Sequence, residues 1–85
     1  MSYRIYIEKS AQKTLSKIPV SDQDKIIETI KNFSANPRPP GVKKLSNRDA
    51  WRIRIGNYRI IYEIEDNRLI VIVINIGHRK DIYRR

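Results

Sequence analysis

Between residues 51 and 64 the chain reads WRIRIGNYRIIYEI, a strand-like segment that holds Arg52, Arg54 and Arg59 close together. Guanidinium groups always carry charge and repel one another, so crowding them lowers stability unless an anion sits among them. Gly56-Asn57 reads as the two-residue turn of a hairpin, with glycine supplying positive φ. That register sets residue 55 against 58, 54 against 59, 53 against 60 and 52 against 61. Ile53, Ile55, Tyr58, Ile60 and Tyr62 then share one face, and Arg52, Arg54 and Arg59 share the other. Arg54 and Arg59 stand directly opposite, with Cβ atoms roughly 5 Å apart, where like charges destabilise a sheet. Phosphate is the natural ligand for such a patch, because the planar fork of arginine binds its oxygens in pairs. The plain alternative is that Glu63 or Asp49 neutralises the arginines, or that they splay into water.

Eighteen Lys and Arg oppose nine Asp and Glu, for a net charge of +9 over 85 residues. Residues 36–85 carry twelve of the basic and five of the acidic groups. A basic half on a small chain is the footprint of a polyanion binder, or else a solvated surface or one that pairs with an acidic protein. No cysteine is present, which excludes disulfides and thiolate metal sites and fits a reducing cytoplasm. The opening MSYRIYIEKS lacks the apolar stretch of a secretory leader. The longest apolar run, LIVIVINIG, has strand length and falls short of the roughly 20 residues a membrane helix needs.

The elements that must hold the arginines can be read in order. Tyr3, Ile5 and Ile7 alternate with Arg4 and Tyr6, predicting a short strand with one buried face. Ser10 is a candidate helix cap, with Ala11, Leu15 and Ile18 on the apolar side, Lys9, Lys13 and Lys17 on the wet side, and Pro19 as the stop. Ser21 is the candidate cap of a second helix, with Asp22 and Asp24 in its first turn, Ile26, Ile27, Ile30 and Phe33 as its stripe, and Asn36-Pro37 as its end. NPRPPGVKKLSNRDA is a crossing loop whose prolines and glycine forbid regular structure near 37–41. Its Lys43, Lys44 and Arg48 are candidate phosphate contacts, or simply solvated. Strands follow at 51–55, 58–65 and 68–76, with a second tight turn at Asp66-Asn67 and Gly77 as the end. The last strand is apolar on both parities, so it should be central, or covered on both faces. The tail HRKDIYRR allows one helical turn. The fold class is therefore α+β in one domain over 1–85: an N-terminal strand, a helical hairpin, and a three-stranded antiparallel meander forming one mainly antiparallel sheet.

These segments carry a resemblance. KKLSNRDAWRIRIGNYRIIYEIEDNRLIVIVINIGHRKDIY, with SAQKTLSKIP and NPRPPGVKKL before it, resembles the RelE family of bacterial and archaeal toxins in the RelE/ParE group. The WRIRIGNYRIIYEI hairpin and the GHRKDIY tail are its most specific pieces. The resemblance implies a fold like that of the compact microbial ribonucleases and a cytoplasmic toxin of a type II toxin–antitoxin system. It implies ribosome-dependent cleavage of mRNA in the A site without metal or cofactor. The partners it implies are the ribosome and mRNA, an acidic RelB-like antitoxin, operator DNA for the toxin–antitoxin complex, and no membrane. Carried over position by position, the catalytic set is Arg52, Arg54, Arg59, Arg79 and Tyr83.

RNA brings its own nucleophile in the 2′-OH. The protein must stabilise charge on the phosphate, take a proton from the nucleophile and give one to the leaving oxygen. The four arginines suit the first task. Lysines occupy positions 52 and 54 in the best-known relatives, and arginine at both puts a lysine-type base in doubt. Tyr83 and His78 remain as acid–base candidates; a phenol among cations shifts towards phenolate, and imidazole titrates near neutrality. Trp51 could stack a base, or pack in the core. The ParE-type toxin, which inhibits DNA gyrase by protein binding without cutting RNA, is the alternative, as is a non-toxic antitoxin-binding relic.

Overall fold

The computed structural model describes residues 2–78. Elements run in the order β1 (Arg4–Ile7), α1 (Lys9–Ser16), α2 (Val20–Asn32), β2 (Lys43–Lys44), β3 (Trp51–Ile55), β4 (Tyr58–Glu65) and β5 (Ile70–His78). They form a five-stranded sheet in the order β1-β5-β4-β3-β2, in which only the β1–β5 pair is parallel. The α+β class and the mainly antiparallel sheet stand as expected. β5 is an interior strand between β1 and β4, which fits its two-sided apolar sequence, and β4 is the middle strand.

Both helices lie on one face of the sheet. Ala11 and Ile18 at α1, and Ile26, Ile30 and Phe33 of α2, bury against Ile53, Ile60, Tyr62, Val71, Val73 and Ile76. Ile5 and Ile7 of β1 pack on the margin of this core, while Tyr6 points the other way and is 49% exposed. Phe33 and Tyr62 stack with centroids 4.2 Å apart, and the Tyr62 hydroxyl donates to the Pro37 carbonyl at 2.7 Å. That bond ties the proline-rich crossing to the centre of the sheet. Burial holds the Tyr62 phenol far above its ordinary pKa, so it stays a neutral donor at any working pH.

The helix boundaries differ from the expected ones. α1 begins at Lys9 with Glu8 at the cap position, and α2 begins at Val20 with Pro19 there; neither start has a side-chain cap. Ser10 and Ser21 lie inside the first turns. Proline's fixed φ and missing N–H break the chain between the helices more sharply than a serine cap would, so the restart moves to Pro19. α2 ends at Asn32, ahead of Asn36-Pro37, in a run of turns.

Three strand features were not expected. Lys43–Lys44 forms a fifth strand, pairing Lys43 with Arg52 and Lys44 with Trp51. The β4–β5 connection spans residues 66–69 rather than two residues, with Leu69 at φ 54, so β5 starts at Ile70. Gly77 does not end β5 but pairs with Arg59 inside it. A β-bulge explains the late part of this strand: Tyr62 pairs with Val73 and Ile61 with Asn75, leaving Ile74 over. The extra residue inverts the parity of the rest of β5, so Val71, Val73 and Ile76 all reach the helix side.

Tyr62→Phe should cost about 1–3 kcal/mol, because the Pro37 carbonyl loses its buried donor while the ring stack remains. Denaturant unfolding of the two proteins checks this; equal midpoints would show that the bond carries no net stability.

Candidate nucleic-acid interface

The hairpin register is the one expected: Ile55 pairs with Tyr58, Arg54 with Arg59, Ile53 with Ile60 and Arg52 with Ile61. Gly56 takes φ +57, and Asn57 is not among the positive-φ residues, which is the type II′ pattern. Alternation therefore sets Arg52, Arg54 and Arg59 on the sheet face away from the helices. β2 extends this face, because Lys43 stands directly beside Arg52. Read from sequence, Lys43 is only a loop cation; a two-residue strand behind Pro39, Pro40 and Gly41 has no periodicity to reveal it.

The three arginines share a face but are not equally open. Arg54 is exposed and Arg52 half-buried, while Arg59 is 0% exposed. Gly77 lies across the ladder from Arg59, so no side chain of β5 holds it off the backbone. Burying a guanidinium is expensive, yet in a low-dielectric surround its charge acts on neighbouring groups with little screening.

The carboxylates expected to neutralise the patch are engaged elsewhere. Glu63 forms an ion pair with Arg48 at 3.6 Å and Asp49 with Lys44 at 3.2 Å. Arg52 forms no ion pair among the described residues. Arg48 and Lys44 thus have carboxylate partners, while Lys43, Arg52 and Arg54 share the face away from the helices.

Trp51 shares the helix-side parity of Ile53 and packs on the core margin. Its ring has the Arg38 guanidinium 4.9 Å from the centroid and the Lys44 ammonium at 5.7 Å. Arg38 is a residue that sequence reasoning passed over. It donates to both Asp66 oxygens, at 3.1 and 2.9 Å, and Tyr3 donates to Asp66 at 2.7 Å. Arg38, first, and Tyr3 hold the Asp66 carboxyl down at about 2, below its ordinary 3.8, while Asp66 raises the Tyr3 phenol. This trio joins the start of β1, the crossing loop and the β4–β5 connection.

His78 pairs with Tyr58 and meets its ring edge-on at 5.5 Å. Tyr58 belongs to the helix-side set, so the register carries His78 to the face opposite Arg52 and Arg54. The Ile74 bulge causes this; unbroken alternation from Val71 would have put His78 beside the arginines. Arg79 and Tyr83 lie outside the described residues. Among the described residues no three His, Cys, Asp or Glu side chains gather where a metal ion could be held.

The family model for the ParE toxin of type II toxin-antitoxin system, parDE, matches residues 5–83. The RelE1 toxin of Methanocaldococcus jannaschii is 31% identical over 99% of this chain and 98% of its own. Toxin RelG of Mycobacterium tuberculosis is 30% identical over the full length of both. The chain belongs to the RelE family of toxins, within the RelE/ParE superfamily. It is a toxin of the type II toxin–antitoxin class. The RelE of the Pyrococcus horikoshii RelE–RelB complex superposes with a TM-score of 0.84 at 27% identity, covering 93% of this chain and 97% of that one. The free Escherichia coli RelE toxin shares the fold, with a TM-score of 0.79 at 23% identity over 98% of this chain and 93% of its own. No helix among the described residues of this RelE-family toxin is long and apolar enough to cross a membrane.

The Asp66 carboxyl titrates lower in the folded chain than its ordinary 3.8, so its stabilisation is complete above about pH 4 and disappears as pH falls towards 2. Asp66→Asn should therefore lower stability at neutral pH and flatten the loss between pH 4 and 2. Urea midpoints across that range check it, and parallel curves for the two proteins would exclude Asp66 as the titrating group.

Proposed function

We propose that this toxin is a ribosome-dependent endoribonuclease that cuts mRNA in the A site by attack of the 2′-OH on the adjacent phosphorus. The observation that carries the reading is the cationic face: Arg54 stands across from Arg59, Arg52 and Lys43 continue the row, and the nearby Glu63 and Asp49 are held by Arg48 and Lys44. A row of cations on adjacent strands suits a phosphodiester better than a protein groove. It also weighs against the gyrase-binding alternative.

Arg52 and Arg54 reach the phosphate oxygens and stabilise the charge that grows on them in the transition state. Arg59, buried below, raises the potential at that surface and keeps it aimed without reorganisation. Arg79 adds a further cation, and Lys43 of β2, with Arg48 of the loop, guides the strand; Lys44, paired with Trp51, belongs to the helix-side parity. Trp51 is held by Arg38 and Lys44 and serves better as a wall than as a stacking platform. Proton transfer falls to Tyr83, because His78 lies on the Tyr58 face. The nucleophile loses its proton, the P–O5′ bond breaks as the new P–O2′ bond forms, and the departing oxygen takes a proton. The products are a 2′,3′-cyclic phosphate and a 5′-hydroxyl. No cofactor enters this scheme.

An acidic antitoxin is the expected inhibitor, supported by the +9 charge and by the RelB complexes of the Pyrococcus horikoshii and Methanococcus jannaschii relatives. A disordered acidic segment would order on this surface and cover the arginines. The complex of the two is the species that would bind operator DNA.

Arg54→Ala should lower cleavage by roughly 100- to 1,000-fold with an unchanged melting temperature, since the side chain is exposed. Toeprinting in a reconstituted translation reaction measures the cleavage, and plasmid supercoiling in the same host monitors gyrase. Wild-type cutting by the variant, or lost supercoiling with intact mRNA, would overturn the reading. A pH–rate profile separates the proton-transfer candidates: Tyr83→Phe should lose rate and flatten one limb, whereas His78→Ala should keep the shape of the parent.

A further inference from the structure

The sheet has two open edges, and they are built differently. β2, at one edge, is two residues long and both are lysine, so pairing it with a second copy would set like charges together. β1, at the other edge, reads RIYI and runs into Glu8, which is still extended at φ −61 and ψ 151. The backbone N–H groups of Arg4 and Glu8 donate to the carbonyls of Leu69 and Val73, at 2.8 and 2.9 Å. Main-chain groups alternate along a strand, so those of Ile5 and Ile7 turn to the open side. The Ile7 carbonyl accepts from the Gln12 amide at 2.7 Å and keeps a second lone pair. Just before the strand, the Tyr3 N–H donates to the Ser34 carbonyl. The stretch open to pairing is therefore 4–8.

Its side chains are symmetric about Tyr6. Tyr6 lies beside Ile72 on the sheet face away from the helices, and with Val20 it is an exposed large apolar residue among those described. Arg4 and Glu8 stand two positions to either side. Both are exposed, and neither forms an ion pair among the described residues. Glu8 holds the cap position of α1 without a side-chain cap bond, so its carboxylate is not engaged at the helix start. Charges that guard an edge against self-pairing share one sign, as on β2. Here the two ends of the stretch carry opposite signs.

We propose that β1 pairs antiparallel with β1 of a second copy, about a two-fold axis at Tyr6, joining two five-stranded sheets into one. In this register Ile5 faces Ile7 of the second copy, and the outward groups of both exchange two backbone hydrogen bonds at each such pair. Tyr6 faces Tyr6 at a non-hydrogen-bonded position, where side chains approach most closely and the two rings bury each other. Arg4 faces Glu8 of the second copy, and symmetry makes that pair twice. A shift that sets Ile5 against Ile5 would halve the backbone bonds and move Arg4 opposite Tyr6. The axis is perpendicular to the sheet, so both arginine faces point the same way. At about 4.8 Å per strand, β3 and its copy lie roughly 34 Å apart. That exceeds the Debye length of about 8 Å at physiological salt, so repulsion between the two arginine clusters is largely screened. A uniformly acidic strand would meet Glu8 as well as Arg4, so a second copy matches the charges of this edge better. Five residues make a small interface, and the dimer depends on concentration.

Sedimentation velocity of the full chain over a concentration series tests this, together with amide hydrogen exchange at Ile5 and Ile7 and with melting temperature as the folding control. The parent should pass from one chain to two with a dissociation constant on the order of 100 µM, and the Ile5 and Ile7 amides should gain protection in step. Arg4→Glu and Glu8→Arg should each weaken the dimer roughly tenfold, because two like-charge pairs replace two opposite ones. Combining the two substitutions should restore association to within about threefold of the parent. The single variants move the net charge in opposite directions, so an effect of overall repulsion would weaken one and strengthen the other, overturning the proposal. Tyr6→Lys should abolish the dimer without unfolding the exposed site. A parent that stays monomeric throughout would overturn the proposal, as would a dimer in which the Ile5 and Ile7 amides still exchange freely. Protection of those amides only when an acidic antitoxin is added would assign the edge to that partner and overturn it too.

Discussion

The site depends on the register of one two-residue turn. Gly56 adopts φ +57 at the first central position, a conformation that matches the right-handed twist of the flanking strands and that other residues adopt only with strain. From that point the phase of β3 and β4 is fixed, and Arg54 must face Arg59. A slip of one residue would drive Arg52, Arg54 and Arg59 against Phe33 and Ile26 and turn Ile53, Ile60 and Tyr62 outward. Burial of those apolar residues is far larger than the cross-strand repulsion, so the core enforces the pair. Electrostatic strain at the site is thus held in place by hydrophobic burial on the opposite side of the same two strands.

A second constraint acts on β5. The bulge at Ile74 lets Val71, Val73 and Ile76 all meet the helices, although strict alternation would have sent Ile76 outward. It also delivers Gly77 to Arg59. A side chain at that place would stand over the guanidinium across the ladder; glycine leaves the position open, and Arg59 settles to full burial. The same shift removes His78 from the arginine face and sets it against Tyr58. One inserted residue therefore decides both how deep a cation lies and which side an imidazole occupies.

The class of fold, the core stripe of α2, the interior position of β5 and the hairpin register were legible because each rests on a short-range period or on turn chemistry. The features that were not legible have a common physical cause. The bulge, the pairing of Lys43 with Arg52 and the burial of Arg59 arise from contacts between segments distant in sequence, and no local pattern encodes them. Ser10 and Ser21 misled as caps because proline and the preceding backbone set the helix starts without a side-chain acceptor. Arg38 was missed for a similar reason: it lies in a proline-rich loop with no period, and its importance comes from Asp66 and Trp51, 28 and 13 positions away.

The distribution of carboxylates completes the electrostatic logic. With nine acidic groups against eighteen basic ones, every ion pair removes a scarce counter-charge from elsewhere. Asp66 is given to Arg38, Asp49 to Lys44, Glu63 to Arg48 and Glu65 to Arg68. These pairs are exposed and contribute little stability individually. Their larger effect is on the field: they commit four of the nine carboxylates to Arg38, Lys44, Arg48 and Arg68. A chain with the same net charge but with Glu63 turned to Arg52 would keep its fold and lose the contrast between site and surround. The placement of four carboxylates, as well as the excess of arginine, therefore shapes the field over the sheet face that carries Arg52, Arg54 and Lys43.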